Sequence, residues 1–167
     1  MNINQFLAMI PTSKKIAVAQ EVVKEYMKDA AVEELSKSDA IQSPGAVADY
    51  IRSFLNPDDF RQEVFGYVAF NIRMQPTECK IVFRGFTDEV AVNTGVLFRF
   101  ILTGSDASRF IIFHTHPSGK SDPSEADIHL TERVVKTARV MQLVCLDHII
   151  MAAGEHHSLS DSHYSSF

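Results

Sequence analysis

The residues of this chain best equipped for chemistry are two histidines and an aspartate in the stretch FIIFHTHPSGKSDPSEAD, positions 110–127. The apolar residues Phe110 to Phe113 predict a short strand buried on both faces. His114 and His116 follow at i and i+2, a spacing that puts both imidazoles on one side of a strand. Pro117 ends the strand because it has no N–H for a ladder. Ser118-Gly119 and Asp122-Pro123 are turn residues, and a helix is predicted from Ser124. Asp127 then falls in the first helical turn. Two imidazoles and a carboxylate, converging from a strand end and a helix start, match a three-ligand zinc site with its fourth position open.

Each piece also has a plainer reading. Ser124-Glu125-Ala126-Asp127 fits a helix capping box, S-x-x-[DE], and most such matches are only caps. An H-x-H pair alone is weak evidence of a metal. The combination is stronger, and the helix pattern adds to it. Leu130, Val134, Ala138 and Met141 form its apolar stripe, and Asp127 precedes Leu130 by three, on the same face. A carboxylate on a buried face must be neutralised, paired or metal-bound, because an uncompensated buried charge costs several kcal/mol or more.

Hydrolysis at such a site needs a group to take the proton of water. Glu63, Glu78, Glu89, Glu125 and Asp147 are the candidates. Glu125 points roughly a quarter turn away from the Asp127 face. Glu63 stands at the start of a predicted strand, from which a carboxylate can reach a neighbouring strand, but spacing alone leaves the choice open. Ser124 has two available jobs: donor to a developing oxyanion, or N-cap accepting from the Asp127 backbone N–H.

The elements that must position these residues follow from periodicity. An amphipathic helix is predicted from Thr12 or Ser13 to about Leu35, with a polar loop over 36–43, and a second helix opens at Pro44-Gly45. From Glu63 the pattern changes to strands: Val64 to Ile72, a turn at Met74–Thr77, Cys79 to Arg84 ended by Gly85, and Thr87 to Asn93. Thr94 is expected to cap an apolar helix from about Gly95 to Leu102, stopped at Gly104. The histidine strand comes next, then a helix from Ser124 to about Gln142. A strand over Leu143–Ala152 and a short one near Ser158–Leu159 complete the pattern. Strands mixed with covering helices indicate an α/β or α+β sandwich.

The chain has 167 residues, 46% of them hydrophobic and 22% charged, which predicts one soluble globular domain with an appended helical segment. A net charge of −5 gives no broad basic face for nucleic acid. Cys79 and Cys145 form no C-x-x-C pair and read as core residues. The N-terminus reads as neither a secretory signal nor a membrane span, so cytoplasmic residence is the default expectation. His148, within a strand, reads as a buried hydrogen-bonded histidine or as support behind the metal site. His129 is expected to be exposed, and His156, His157 and His163 to belong to the tail.

Taken together, His114-Thr115-His116-Pro117-Ser118-Gly119 with Pro123-Ser124 and Asp127 resembles the JAMM (JAB1/MPN) metalloprotease motif, and most closely its bacterial RadC-like branch. Further support comes from Glu63 before Val64-Phe65, Gly85 after an apolar strand, Asp147-His148-Ile149-Ile150, and Ser158. The resemblance spans about Ser43 to Ser160. It implies one zinc per chain, held by His114, His116 and Asp127. It implies Glu63 as general base to the zinc-bound water, Ser124 as oxyanion partner, and a peptide or isopeptide amide as substrate. The implied fold is the JAB/MPN sandwich, similar to cytidine deaminases, with a curved mixed sheet flanked by helices. It would occupy residues 44–167, behind an N-terminal helical extension over 1–43. The family name also raises an indirect association with DNA-repair machinery, and ligand-free MPN relatives raise a non-catalytic interaction module. Two departures stand out: Thr115 where these proteins usually carry Asn, and Gly95-Val96 where they usually carry Arg-Glu. A zinc deaminase is disfavoured, since H-x-E and P-C-x-x-C are absent.

Overall fold

The apolar run ahead of the paired histidines becomes the centre of a sheet. A computed structural model describes residues 43–85, 92–104, 107–162 and 167. The expected helix over 12–35, the loop after it up to residue 42, residues 87–91 of the expected third strand with Glu89, and His163 lie outside the described residues.

The described elements, in chain order, are α1 (Pro44–Phe54), a 3-10 turn (Pro57–Arg61), β1 (Val64–Phe70), β2 (Pro76–Arg84), α2 (Thr94–Gly104), β3 (Arg109–Thr115), α3 (Glu125–Val140), β4 (Val144–Met151) and β5 (His156–Ser158). The strands form one mixed sheet in the order β2-β1-β3-β4-β5. β1 runs antiparallel to both β2 and β3, β3 is parallel to β4, and β4 is antiparallel to β5.

Period-two alternation divides the core between the two faces of this sheet. On one face Phe65, Tyr67, Phe110 and Ile112 pack with Leu97, Phe98 and Ile101 of α2 and with Val134, Val135 and Ala138 of α3. On the other, Val64, Val68, Phe70, Ile111 and Phe113 pack with Val47, Ala48 and Ile51 of α1. β3 contributes to both clusters, which is why its sequence is continuously apolar. Helices on both faces of a mixed sheet make the α/β sandwich that the resemblance implies. Both cysteines are buried, and burial pushes the Cys145 thiol up, as suits an inert core residue.

The structure differs from expectation in several local places. β1 stops at Phe70 rather than Ile72, and β2 begins at Pro76 rather than Cys79. The side-chain oxygen of Asn71 accepts from the N–H groups of Arg73 (2.8 Å) and Gln75 (3.1 Å), and Met74 turns to φ 61°, so the hairpin closes earlier than the Pro-Thr signal indicated. Asn93, not Thr94, caps α2: its side-chain oxygen accepts from the Val96 N–H at 3.3 Å, and Thr94 is the first helical residue. Val92 and Asn93 are not in a strand. The buried face of α3 comprises Thr131, Val134, Val135 and Ala138; Met141 is its exposed C-cap, because Gln142 takes φ 59° and ends the helix. β5 pairs at His156–Ser158 rather than at Ser158–Leu159. Asp147 sets the turn after it, accepting from Ser158 Oγ (2.6 Å) and the Ser160 N–H (2.9 Å).

One glycine is required by space. A Cβ on Gly66, in the middle of β1, would meet the Lys80 carbonyl oxygen and the Phe113 ring far inside van der Waals contact. β1 is hydrogen-bonded on both sides and has little room to retreat. Gly66→Ala is therefore expected to lower unfolding stability by about 3 kcal/mol, read as a shift in urea midpoint at constant slope. A loss below about 1 kcal/mol would show that the sheet opens easily there.

Candidate metal centre

Three local devices bring the donors together. β3 delivers His114 as its next-to-last residue, and His116 continues the strand line by donating its backbone N–H to the Met151 carbonyl at 2.8 Å. The two rings lie on the same side, with centroids 4.6 Å apart. Ser124, in extended backbone, starts α3 and puts Asp127 in its first turn.

His114 Nε2 lies 2.8 Å from His116 Nε2 and 3.1 Å from Asp127 Oδ1, and His116 Nε2 lies 3.4 Å from Asp127 Oδ2. One donor atom from each of the three falls within 4.8 Å of the others. Tetrahedral ligands at zinc bond lengths of about 2.0–2.2 Å stand roughly 3.3 Å apart, so the cluster has the right size for one such ion. Its N₂O donor chemistry also suits zinc.

The far side of each imidazole is engaged, which leaves Nε2 pointing inward. His116 Nδ1 lies 3.0 Å from the Lys120 carbonyl oxygen. That oxygen can only accept, so Nδ1 carries the hydrogen. The Lys120 loop is itself tied down. Ser121 donates its N–H to Glu155 Oε1 at 2.8 Å, and Arg52 donates to the carbonyls of Ala152 (3.1 Å), Ala153 (3.3 Å) and Glu155 (3.3 Å). His114 Nδ1 lies 2.8 Å from Nε2 of His148 on β4. His148 Nδ1 in turn lies 2.6 Å from the Thr131 hydroxyl. His148 is fully buried, and both its burial and the neighbouring His114 hold it well below the ordinary imidazole range, hence neutral. Thr131 escaped the reading of the sequence. The available signal was a hydroxyl on the buried stripe of α3, one turn after Asp127.

Asp127 serves two ends at once. Its Oδ2 accepts from the Ser124 N–H (2.8 Å) and from Ser124 Oγ (2.6 Å), while Ser124 Oγ accepts from the Asp127 N–H (3.2 Å). The capping box is therefore present in full. Burial would raise the Asp127 carboxyl, but the adjacent His114 and His116 rings and the Ser124 hydroxyl outweigh it and hold the group well below the usual carboxylate range. The Asp127 carboxylate in turn raises the proton affinity of His116 against the opposing effect of burial, with the Lys120 carbonyl and the charge of Glu63 adding to the rise.

Glu63 directly precedes β1, whose ladder with β3 ends where Phe65 stands opposite His114, and the charge of Glu63 acts on His116. The Glu63 backbone is closely held. Gly85 donates its N–H to the Glu63 carbonyl at 2.8 Å. Thr115, fully buried between the two histidines, accepts the Val64 N–H at 2.9 Å and donates to the Gln62 carbonyl at 2.8 Å. Of the other described candidates, two are engaged elsewhere. Glu78 bonds Tyr67 and pairs with Lys80 at 3.7 Å. Asp147 is bound to the β5 turn, on the opposite face of β4 from His148. Glu125 is exposed.

Among the described residues no helix is long and apolar enough to cross a membrane. A family model described as "RadC-like JAB domain" matches residues 41–164. A UPF0758 protein of Pseudomonas fluorescens is 32% identical over 147 residues, 88% of this chain and 62% of that protein. One from Thiobacillus denitrificans is 31% identical over 148 residues, covering 89% and 64% of the respective chains. One from Gloeothece citriformis is 39% identical over 98 residues, covering 59% and 40%. The chain spans less than two thirds of the length of these relatives.

Proposed function

The chain belongs to the RadC-like JAB domain family, and on that premise we propose that it is a zinc-dependent hydrolase of a peptide or isopeptide amide. His114, His116 and Asp127 hold one zinc per chain. The catalytic unit is residues 44–167, with 1–43 as an N-terminal helical extension, and its partner is a peptide or protein substrate. The observation that supports this most is the convergence of two Nε2 atoms and a carboxylate within 4.8 Å, with both Nδ1 atoms engaged behind them.

Zinc, when bound, polarises the scissile carbonyl and makes water nucleophilic at neutral pH. Glu63 accepts the proton of the attacking water and passes it to the departing amine. Its charge acts on His116 and its backbone is held, which suits that role. Ser124, exposed next to Asp127, offers its hydroxyl to the oxygen that gains charge. That hydroxyl points at Asp127 Oδ2 in the structure, so the role requires a rotation toward substrate.

The test is metal analysis of the purified protein, with cleavage of a panel of peptides and isopeptide-linked substrates before and after chelation. One zinc per chain is expected, with cleavage lost on chelation and restored by added zinc. A protein that takes up no zinc when supplied, or whose cleavage is indifferent to the chelator, rules the reading out.

A further inference from the structure

We propose that Thr131, acting through His148, selects the tautomer of His114 and so sets the metal affinity of the site from a position that touches no cation. The proposal rests on the reading that His114, His116 and Asp127 hold a zinc ion.

The geometry supplies a directed chain. The Thr131 hydroxyl lies 2.6 Å from the Asp127 carbonyl oxygen, one helical turn earlier, and 2.6 Å from His148 Nδ1. The carbonyl can only accept, and a hydroxyl has one hydrogen. When Thr131 gives that hydrogen to Asp127, it can only accept from His148, so His148 carries its hydrogen on Nδ1. His148 Nε2 then has a lone pair and can only accept. Its neighbour at 2.8 Å, His114 Nδ1, must therefore donate. That places the His114 hydrogen on Nδ1 and leaves Nε2, the atom 3.1 Å from Asp127 Oδ1, free to bind a metal. Run the other way, the same contacts would put a hydrogen on His114 Nε2 and block it.

Direction is thus set at the Thr131 end, against the pull of the Asp127 carboxylate, which lies 3.1 Å from His114 Nε2 and would accept a hydrogen there. The chain also closes on itself, because it starts at one ligand and finishes on the backbone of another. Thr131 is 1% exposed and His148 0%, so water does not compete for these hydrogen bonds. A buried hydroxyl on an otherwise apolar helix face, bonded to a buried imidazole, has no evident packing advantage over valine. Its value is the polarity it imposes. Both are positioning residues, and neither touches the reacting atoms.

Thr131→Val keeps the shape and removes the hydroxyl, while Thr131→Ser keeps the hydroxyl. Zinc affinity is measured by competition with a chromophoric chelator on the parent, both variants and His148→Phe. Imidazole nitrogen NMR of the zinc-free proteins reports the tautomer of His114. Expected is a roughly tenfold or greater loss of zinc affinity in Thr131→Val and His148→Phe, with Thr131→Ser near the parent. The NMR is expected to show His114 moving from Nδ1–H toward Nε2–H in Thr131→Val. Parent-like affinity in folded Thr131→Val, or an unchanged His114 tautomer, overturns the relay and leaves the hydrolase reading standing. A parent that binds no zinc overturns both.

Discussion

Glu63→Gln is expected to lower turnover by about 10²–10⁴-fold, the usual contribution of a positioned general base, with zinc content unchanged at one per chain. Glutamine has the shape of glutamate and can accept and donate hydrogen bonds, but it cannot hold the proton of water at neutral pH. The substitution should not disturb the scaffold, because residue 63 is held through its backbone. Gly85 donates to its carbonyl, and Thr115 bonds the residues on either side. Nor is Glu63 one of the three donors that converge. Metal analysis alongside cleavage of a responsive substrate separates the two roles. Loss of zinc in the variant would make Glu63 part of the metal site. A variant that keeps zinc and cleaves as fast as the parent would remove Glu63 from the mechanism and return the choice of base to an open question.

Asp127→Asn is expected to weaken zinc binding by at least about a hundredfold, given that groups which only support a ligand already change affinity by 10–100-fold. Asparagine is chosen because it keeps an oxygen in place. The Ser124 N–H, which Asp127 Oδ2 accepts at 2.8 Å, still finds an acceptor, so the start of α3 retains a cap worth about 1 kcal/mol. What is lost is the negative charge between two imidazoles. Thermal unfolding with and without zinc reads the difference. A ligand at a hundred times its Kd stabilises the folded state by about 2.7 kcal/mol, so the parent gains a clear rise in Tm on adding zinc. The variant at the same concentration gains almost none. A variant whose Tm rises with zinc as much as the parent's would show that the carboxylate is only a cap.

These two residues were not equally visible in the sequence. Asp127 could be placed from local rules, since a cap residue three positions ahead and an apolar stripe after it set both its turn and its face. The match was still imperfect. The stripe actually passes through Thr131, and Met141 lies outside it, because the left-handed Gln142 ends the helix before that residue can turn inward. Glu63 could not be separated by spacing from Glu78, Glu89 and Asp147. What brings its charge to His116 is the pairing of β1 with β3, which depends on which faces of two distant segments are buried together. In the sequence Thr115 stood out only as a departure from the motif that the resemblance implies. In the fold it is the link between the histidine strand and the segment carrying Glu63.

By itself the sequence determined what short-range geometry determines: a strand apolar on both faces, two imidazoles on one side of its end, and a carboxylate in the first turn of the next helix. Those outcomes depend on residues two to four apart, where backbone periodicity leaves little choice. The tertiary structure alone decided which groups stand behind and beside the donors. His148 comes from β4, Thr131 from the inner face of α3, and Glu63 from the edge of β1. These elements come together only because burying Phe65, Ile112, Val134 and Cys145 in one cluster forces them into contact, and that packing free energy belongs to the whole assembly rather than to any one stretch of chain.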